Sequence, residues 1–503
     1  MKSKLIYIAI LLLWLSLLHV RAQDSFEEFR NRANASYGQF RKQVNDDYEA
    51  FRKKVNDEYA AMVENSWKGF SSIGKRPVPD DKVKPVPPVV YPKEDENKPA
   101  PKPKPLPYDD VVEPPKPKPQ PTPIAPIEEK PAPSVPERTF YVYGTRVAVH
   151  FDLSNKVELK GVCERDVAQA WRAMSSEHYT NLLGECLKIR KEKKLCDWAY
   201  LAMLRKVSEE ICGQNTNSAT LMMAYLYCQS GYKMRLARDR NNVLYMMYAS
   251  DYIIFGVDQY TIDGMTYYPY NGSPKSVYMC DVSFPQEKAM SMSISKEQQL
   301  ASIETEVKTR QSSRYPEVKT SMRSNKNLMA FYENYPTAMI GDNLVTRWAI
   351  YANTPMSESV KQQIYPSLLS AIKGCDQLAA VSKLLNYVQT GFTYEYDDKV
   401  WGHDRAFFAE ESLYYPYCDC EDRSILFTRL VRDLLGLDCI LIYYPGHLAA
   451  AVCFAGTDVK GDYIMLNGRK YIVSDPTYIG APVGRTMPKM DNEKAKVVLL
   501  ERN

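Results

Sequence analysis

Near the C-terminus, a cysteine, a histidine and an aspartate occur in an order and setting suited to acyl transfer. Cys420 opens a stretch whose apolar residues Ile425, Leu426, Leu430, Val431, Leu434 and Leu435 follow helical spacing, and Gly436 marks its stop. A thiol at a helix N-terminus meets free backbone N–H groups and the positive end of the dipole, which predicts a lowered pKa and a thiolate. The run "CILIYY" predicts a strand, Pro445-Gly446 a break, and "HLAAAVCF" a second strand that begins with His447. In "GDYIMLNGRKYIVSDPTY", Asn467-Gly468 predicts a two-residue hairpin turn, with the second strand ending at Asp475. A nucleophile, a base and a carboxylate to orient the base are thereby supplied. The chain has only five histidines, so few other places could support such chemistry.

The combination "DCEDRSILFTRLVRDLLGLD", "PGHLAAAV" and "YIVSDPTY" resembles the transglutaminase-like cysteine hydrolase superfamily, above all its secreted bacterial members with DCED at the nucleophile. The resemblance covers about Ser357 to Val498. It implies an α+β fold with a papain/transglutaminase-like core, a helix packed on an antiparallel sheet. It also implies Cys420 as nucleophile, His447 as general base and Asp475 as the orienting carboxylate, working through a thioester without metal or organic cofactor. The segment "LLNYVQTGFTYEYDD" resembles the one that precedes the nucleophile in this group, which makes Gln389 the candidate side-chain donor of an oxyanion hole beside the Cys420 N–H. Eukaryotic transglutaminases carry a Trp after the nucleophile; Glu421 stands here.

Other residues nearby have plainer readings. Cys439 and Cys453 lie inside apolar strands and read as core. Cys418, two residues before the nucleophile, reads either as inert or as a reversible oxidative guard. Asp422 and Arg423 read as first-turn and surface contacts, and His403 as a loop residue.

The middle of the chain repeats this rhythm without the chemistry. "NTNSATLMMAYLYCQSGYKMRLARDRNNVLYMMY" has the same helix, glycine and strand order. Setting Gly231 on Gly436 places Asn215 opposite Cys420 and Asn242 opposite His447, and the hairpin "YTIDGMTYYPYNG" set on "IMLNGRKYIVSDP" places Asn271 opposite Asp475. Asparagine is neither nucleophile nor base at neutral pH, so residues 138–290 read as a degenerate, non-catalytic copy, and 291–503 as the catalytic domain with its connecting segment. Tyr267, Tyr268, Tyr270 and Tyr278 suit recognition of peptide or glycan there.

The rest of the chain positions these domains. Residues 1–22 have the layout of a signal peptide: Lys2 and Lys4, an apolar run, then Val20-Arg21-Ala22. Residues 23–70 contain an 11-residue repeat beginning at Phe29, Phe40 and Phe51, an amphipathic helix with Phe51, Val55, Tyr59 and Met62 on its apolar face. Self-association through residues 26–70 is one reading of that face; packing on the same chain is the other. Residues 71–137 hold most of the 33 prolines and read as an extended spacer with no shared core.

Composition narrows the partners. Lys+Arg 65 against Asp+Glu 61 gives no basic footprint for nucleic acid. Beyond the signal segment, no stretch is long and apolar enough to span a bilayer. The expected protein is exported, periplasmic or in the cell envelope or outside it, and acts on peptide, protein or cell-wall peptide. The competing class is a non-enzymatic envelope binding or scaffold protein of the same fold.

Overall fold

Alternating apolar residues and tight Gly-containing turns recur twice along the chain, and each recurrence builds one antiparallel sheet beneath a buried helix. The computed structural model describes residues 32, 35–36, 39–40, 42–78, 86–93, 102–114, 116, 119–123, 134–456 and 458–502. The signal segment and the first repeat boundary at Phe29 lie outside these. Residues 42–63 form helix α1, followed by β1 (Trp67–Ser71) and three short strands of the Pro-rich stretch: β2 (Val89–Val90), β3 (Lys104–Pro105) and β4 (Asp110–Val112).

A middle half begins with a hairpin, β5 (Glu137–Val142) and β6 (Thr145–His150). Four helices follow, α2 (Glu164–Met174), α3 (Glu177–Glu192), α4 (Asp197–Cys212) and α5 (Asn217–Gln229). Its strands are β7 (Met234–Arg238), β8 (Leu244–Ala249), β9 (Tyr252–Ile254), β10 (Tyr260–Ile262), β11 (Met265–Pro269) and β12 (Ser276–Cys280). The C-terminal half also begins with a hairpin, β13 (Lys308–Gln311) and β14 (Lys319–Met322). It continues through α6 (Lys326–Glu333), β15 (Ala338–Ile340), α7 (Thr346–Asn353), α8 (Glu358–Ile372) and α9 (Gln377–Thr390). Next come β16 (Thr393–Tyr394), α10 (Asp397–Val400), α11 (Ala409–Tyr414), β17 (Tyr417–Cys418) and α12 (Cys420–Leu435). Strands β18 (Cys439–Tyr444), β19 (His447–Cys453), β20 (Asp462–Leu466), β21 (Arg469–Val473), β22 (Tyr478–Ile479) and β23 (Lys496–Leu499) complete it.

The two main sheets have the same internal order. The first runs β12-β7-β8-β11-β10 and the second β23-β18-β19-β21-β20, every pair antiparallel. Each sheet follows its helix, α5 or α12, and each of these helices packs on an earlier one, α5 on α4 and α12 on α9. The hairpin turns also match: Asp263-Gly264 and Asn467-Gly468 both have positive φ, as a type I′ turn requires. The molecule is therefore mixed α+β, with helices packed on antiparallel sheets. Among the described residues no helix is long and apolar enough to cross a membrane.

The register refines the expected correspondence. Counting back from the matched turns, Tyr267 pairs with Ala249 as Tyr471 pairs with Cys453. Asn271 then corresponds to Asp475, and Val243, not Asn242, corresponds to His447. The loop Asp239–Val243 is longer than the Pro445-Gly446 turn and is organised by Asp239, whose Oδ1 accepts from the N–H groups of Asn241 and Val243 at 2.9 Å each. Asn215 precedes its helix, which starts at Asn217 because Thr216 caps it, accepting from the Ala219 N–H at 3.0 Å.

The N-terminal segments pack into the molecule: helix α1 follows the reading in which it packs on the same chain, whereas the Pro-rich stretch departs from the expected spacer with no shared core. Helix α1 buries Arg52, Val55, Asn56, Tyr59, Ala60 and Val63, whereas Phe51 is 49% and Met62 40% exposed. The buried stripe is thus turned from the predicted one. The cause is polar: Asn56 donates to Gln229 Oε1 at 3.0 Å, accepts from its Nε2 at 2.9 Å, and accepts from Trp171 Nε1 at 2.8 Å. Strand β1 extends the first sheet along β12. The Pro-rich stretch is a strap: β3 and β4 run parallel to the two edge strands β20 and β23 of the second sheet, and β2 pairs with β22. Proline is compatible with such edges, where one face of the strand needs no donor; the added strands also cover edges that would otherwise be exposed.

Candidate active site

Helix α12 presents Cys420 as its first residue, where the backbone N–H has no intrahelical acceptor. Asp419 precedes it, and the Asp419 N–H donates to Asp422 Oδ2 at 3.2 Å, which fixes the first turn. Gly436 ends the helix in the left-handed region (φ 63°), as its sequence position predicts. The following turn places the base. Pro445 and Gly446 (φ 80°) reverse the chain so that His447 begins β19 opposite Tyr444, the arrangement of a type II turn. Ser424 Oγ of α12 donates to the Leu448 carbonyl at 2.8 Å, so the nucleophile's helix is fastened beside the base's strand.

His447 is buried and lies 2.8 Å through Nε2 from Asp475 Oδ2. An ionised aspartate only accepts, so Nε2 carries the proton and Nδ1 is left as the basic nitrogen. His447 Nδ1 is buried and has no hydrogen-bond partner. Asp475 Oδ1 accepts from the Thr477 N–H at 2.8 Å, which orients the carboxylate from the other side. Tyr444 stacks on the imidazole with ring centroids 6.2 Å apart.

Cys420 is 2% exposed and its thiol points toward Glu421, with Sγ 3.3 Å from Oε2. Burial pushes this thiol well up, and the carboxylates of Asp419 and Glu421 add to the effect, against a hydrogen bond from the Leu448 backbone that lowers it. The helix terminus was expected to favour a thiolate; the enclosed acidic surroundings overcome it. The resting residue is a neutral thiol. The Leu448 N–H, as donor to the sulfur, sets it against the residue that follows His447, and no hydrogen bond joins the thiol to the imidazole itself.

Around this thiol lies a buried acidic cluster that spacing alone did not reveal. Asp397, Asp419, Glu421 and Asp422 are all shifted upward, chiefly by burial, with neighbouring carboxylates adding to it. Asp404 pairs with Arg347 at 2.7 Å. Asp422 accepts from the Phe407 N–H at 2.8 Å, and Arg423 donates to the carbonyls of Gln389 at 3.1 Å and Phe392 at 2.9 Å. Neither is a surface residue, contrary to the sequence reading. Asp419, Cys420 and Glu421, and separately Asp397, Asp404 and Glu421, bring one ligand atom each within 4.8 Å, so either set could hold a cation. The only sequence signal for this cluster was the acidic run around Cys420.

Gln389 lies beside the site in a different role from the expected one. Its Nε2 contacts the carbonyls of Asp475 at 3.1 Å, Tyr478 at 2.8 Å and Ala481 at 3.1 Å, while its Oε1 accepts from the Gly480 N–H at 3.2 Å. Two amide protons meet three acceptors, so no donor is left for an oxyanion. Gln389 instead fastens the loop that carries Asp475. Cys418, Cys439 and Cys453 are buried, His403 is an exposed loop residue, and all eleven cysteines stand as thiols.

No protein-family model, curated protein or solved structure matches this chain. The reading of its chemistry rests on the residues themselves. In the middle half Val243 and Asn271 hold the positions of His447 and Asp475, while Asn215 lies two residues before its helix and not at its first position; Asn215 accepts from Arg205 Nη2 at 2.9 Å, and Asn271 Oδ1 is buried without a partner. None of these three residues can serve as nucleophile or base.

Proposed function

We propose that this protein is an exported cysteine hydrolase or acyltransferase of transglutaminase-like type, acting on amide bonds of peptides, proteins or cell-wall peptide through a thioester. The observation that carries this reading is the buried His447–Asp475 pair at 2.8 Å, with Nδ1 free to accept a proton beside the start of α12. In the reaction, the Cys420 thiol leaves Glu421 and gives its proton to His447 Nδ1. The sulfur attacks the substrate carbonyl carbon, and the Cys420 N–H is the available donor for the oxyanion. The imidazolium then protonates the leaving amine as the C–N bond breaks. Water or a second amine resolves the thioester, its proton passing to His447.

On this reading residues 138–290 are a degenerate copy of the core, supported by the shared strand order, and the helix-on-sheet plan supports the papain/transglutaminase-like class. A second reading, a non-enzymatic scaffold, is favoured by one observation: Cys420 is enclosed and held as a thiol. Labelling with a thiol-reactive acyl probe, followed by peptide mapping, separates the two. The enzyme reading expects an adduct on Cys420 that His447→Ala abolishes; slow, uniform labelling of all thiols supports the scaffold.

A further inference from the structure

A cavity of about 420 Å³ lies outside the candidate active site, between the middle half and the connector that follows it. Three separate pieces of chain build it: the strap residues Pro119 and Gln120, the end of α3 with the start of α4, and the connector between the halves. Gln120 is fixed there by its bond to the Leu195 carbonyl at 2.9 Å. The cavity is basic. Lys191, Lys194 and Lys296 stand on its exposed parts, and the one carboxylate lining it, Asp197, is already engaged by Arg190 at 3.1 Å and by the Tyr232 hydroxyl at 2.6 Å. Neither Lys194 nor Lys296 has an ion-pair partner among the described residues. Arg190 is 4% exposed, and its Nε–H is buried without an acceptor.

We infer that this cavity binds a small oxyanion-bearing ligand, a carboxylate or a phosphate, held by Lys194 and Lys296 with hydroxyls from Ser293 and Ser295. The lysines line one concavity, where their fields add and the surrounding protein screens less than open water does. Arg190 and Asp197 cancel each other at the buried floor, so the surplus charge is that of the lysines. The volume is that of a small-ligand pocket and exceeds the needs of a bare ion, which fits an anionic group carried on a body about the size of a dipeptide or a sugar. The lining serines supply neutral donors without adding charge. This site does not depend on the catalytic reading, since none of its residues belongs to the Cys420 cluster.

Calorimetric titration of the full chain tests it with three probes: inorganic phosphate, N-acetyl-alanyl-alanine with its free carboxylate, and the C-terminal amide of the same dipeptide. The expected result is saturable binding of phosphate or of the free acid, none of the amide, and affinity lowered at least about tenfold in Lys194→Glu/Lys296→Glu, as expected for the loss of two close cations. Which of the two anions binds identifies the ligand chemistry. Both lysines are exposed, so the variant should keep the parent melting temperature, and Cys420→Ala should bind as the parent does. Absence of saturable binding by either anion, or equal affinity in the charge-reversed variant, overturns the inference.

Discussion

The imidazole of His447 is held by Asp475 at 2.8 Å, and the backbone of that same aspartate is held by Gln389. The base is thus positioned through two successive side chains, from α9 to the loop after β21 to β19. Gln389→Ala would leave several buried carbonyls and one N–H without partners, at about 1–3 kcal/mol for each group that water cannot reach. The expected outcome is a melting temperature lower by several degrees and a slower reaction of Cys420 with acyl probe. Denaturation and labelling rates measured on the same preparation check both effects; a variant as stable and reactive as the parent would remove Gln389 from the positioning role.

The acidic surroundings of the thiol predict its reactivity. Burial, Asp419 and Glu421 all hold Cys420 in its protonated form, so alkylation by a small neutral reagent should be slow at pH 7 and rise steeply above pH 9. Glu421→Gln replaces a carboxyl that can carry negative charge beside the sulfur by a neutral amide, whose oxygen can still accept from the S–H, and should raise the rate at pH 7 several-fold. A rate profile that already plateaus below pH 7 in the parent would show that the thiol is ionised.

Stability should respond to pH in a direction unusual for carboxylates. Glu410 and Glu411 are pushed up to about 7 by burial, and Asp397, Asp419, Glu421 and Asp422 are shifted upward for the same leading reason. In the unfolded chain each ionises near pH 4, so between that value and the raised one the folded state holds more protons. Their contribution is complete below about pH 4 and is lost as pH rises toward 7 and beyond. The melting temperature should fall between pH 5 and pH 8, and Asp419→Asn/Glu421→Gln should flatten that fall. Calorimetry across this range decides it.

Much of the C-terminal half was legible because its signals are local. The periodicity after Cys420, the stop at Gly436, the Pro445-Gly446 and Asn467-Gly468 turns and the alternation in β18 and β19 each depend on residues a few positions apart. The rest depends on partners remote in sequence. Asp422 and Arg423 looked like surface residues because isolated charges belong in water; only Phe407, Gln389 and Phe392 give them buried partners. Proline composition predicted neither helix nor central strand in the strap, yet strands of two and three residues take their places there from the edges they meet. Helix α1 was recognised by period, but its face was set by Asn56, a polar residue that a hydrophobic pattern passes over.

That network makes the N-terminal helix part of the core. Asn56→Ala strips Trp171 Nε1 and the Gln229 amide of their partners in a dry interior, a loss of about 2–4 kcal/mol. Starting the chain at residue 64 should cost more, since Val55, Tyr59, Ala60 and Val63 leave the core as well. Thermal unfolding of the two variants should rank them in that order; a truncated chain as stable as the parent would mean that α1 only rests on the surface.

The strap offers a test in which two costs can be separated. Gly231 has φ 91°, and a Cβ there would lie 2.1 Å from the Thr122 carbonyl oxygen. Gly231→Ala therefore carries backbone strain of about 1 kcal/mol and also drives the strap away from the turn that follows α5. Replacing residues 119–123 by an equally long Gly-Ser segment removes the second cost alone, because a flexible segment has no fixed place against the turn. In that background Gly231→Ala should destabilise by the strain only, so the two changes together should cost less than their sum. Non-additivity of 1 kcal/mol or more in denaturant titrations is the expected signature of contact between neighbours. Strictly additive costs would show that the strap at Thr122 is not seated on Gly231 in solution.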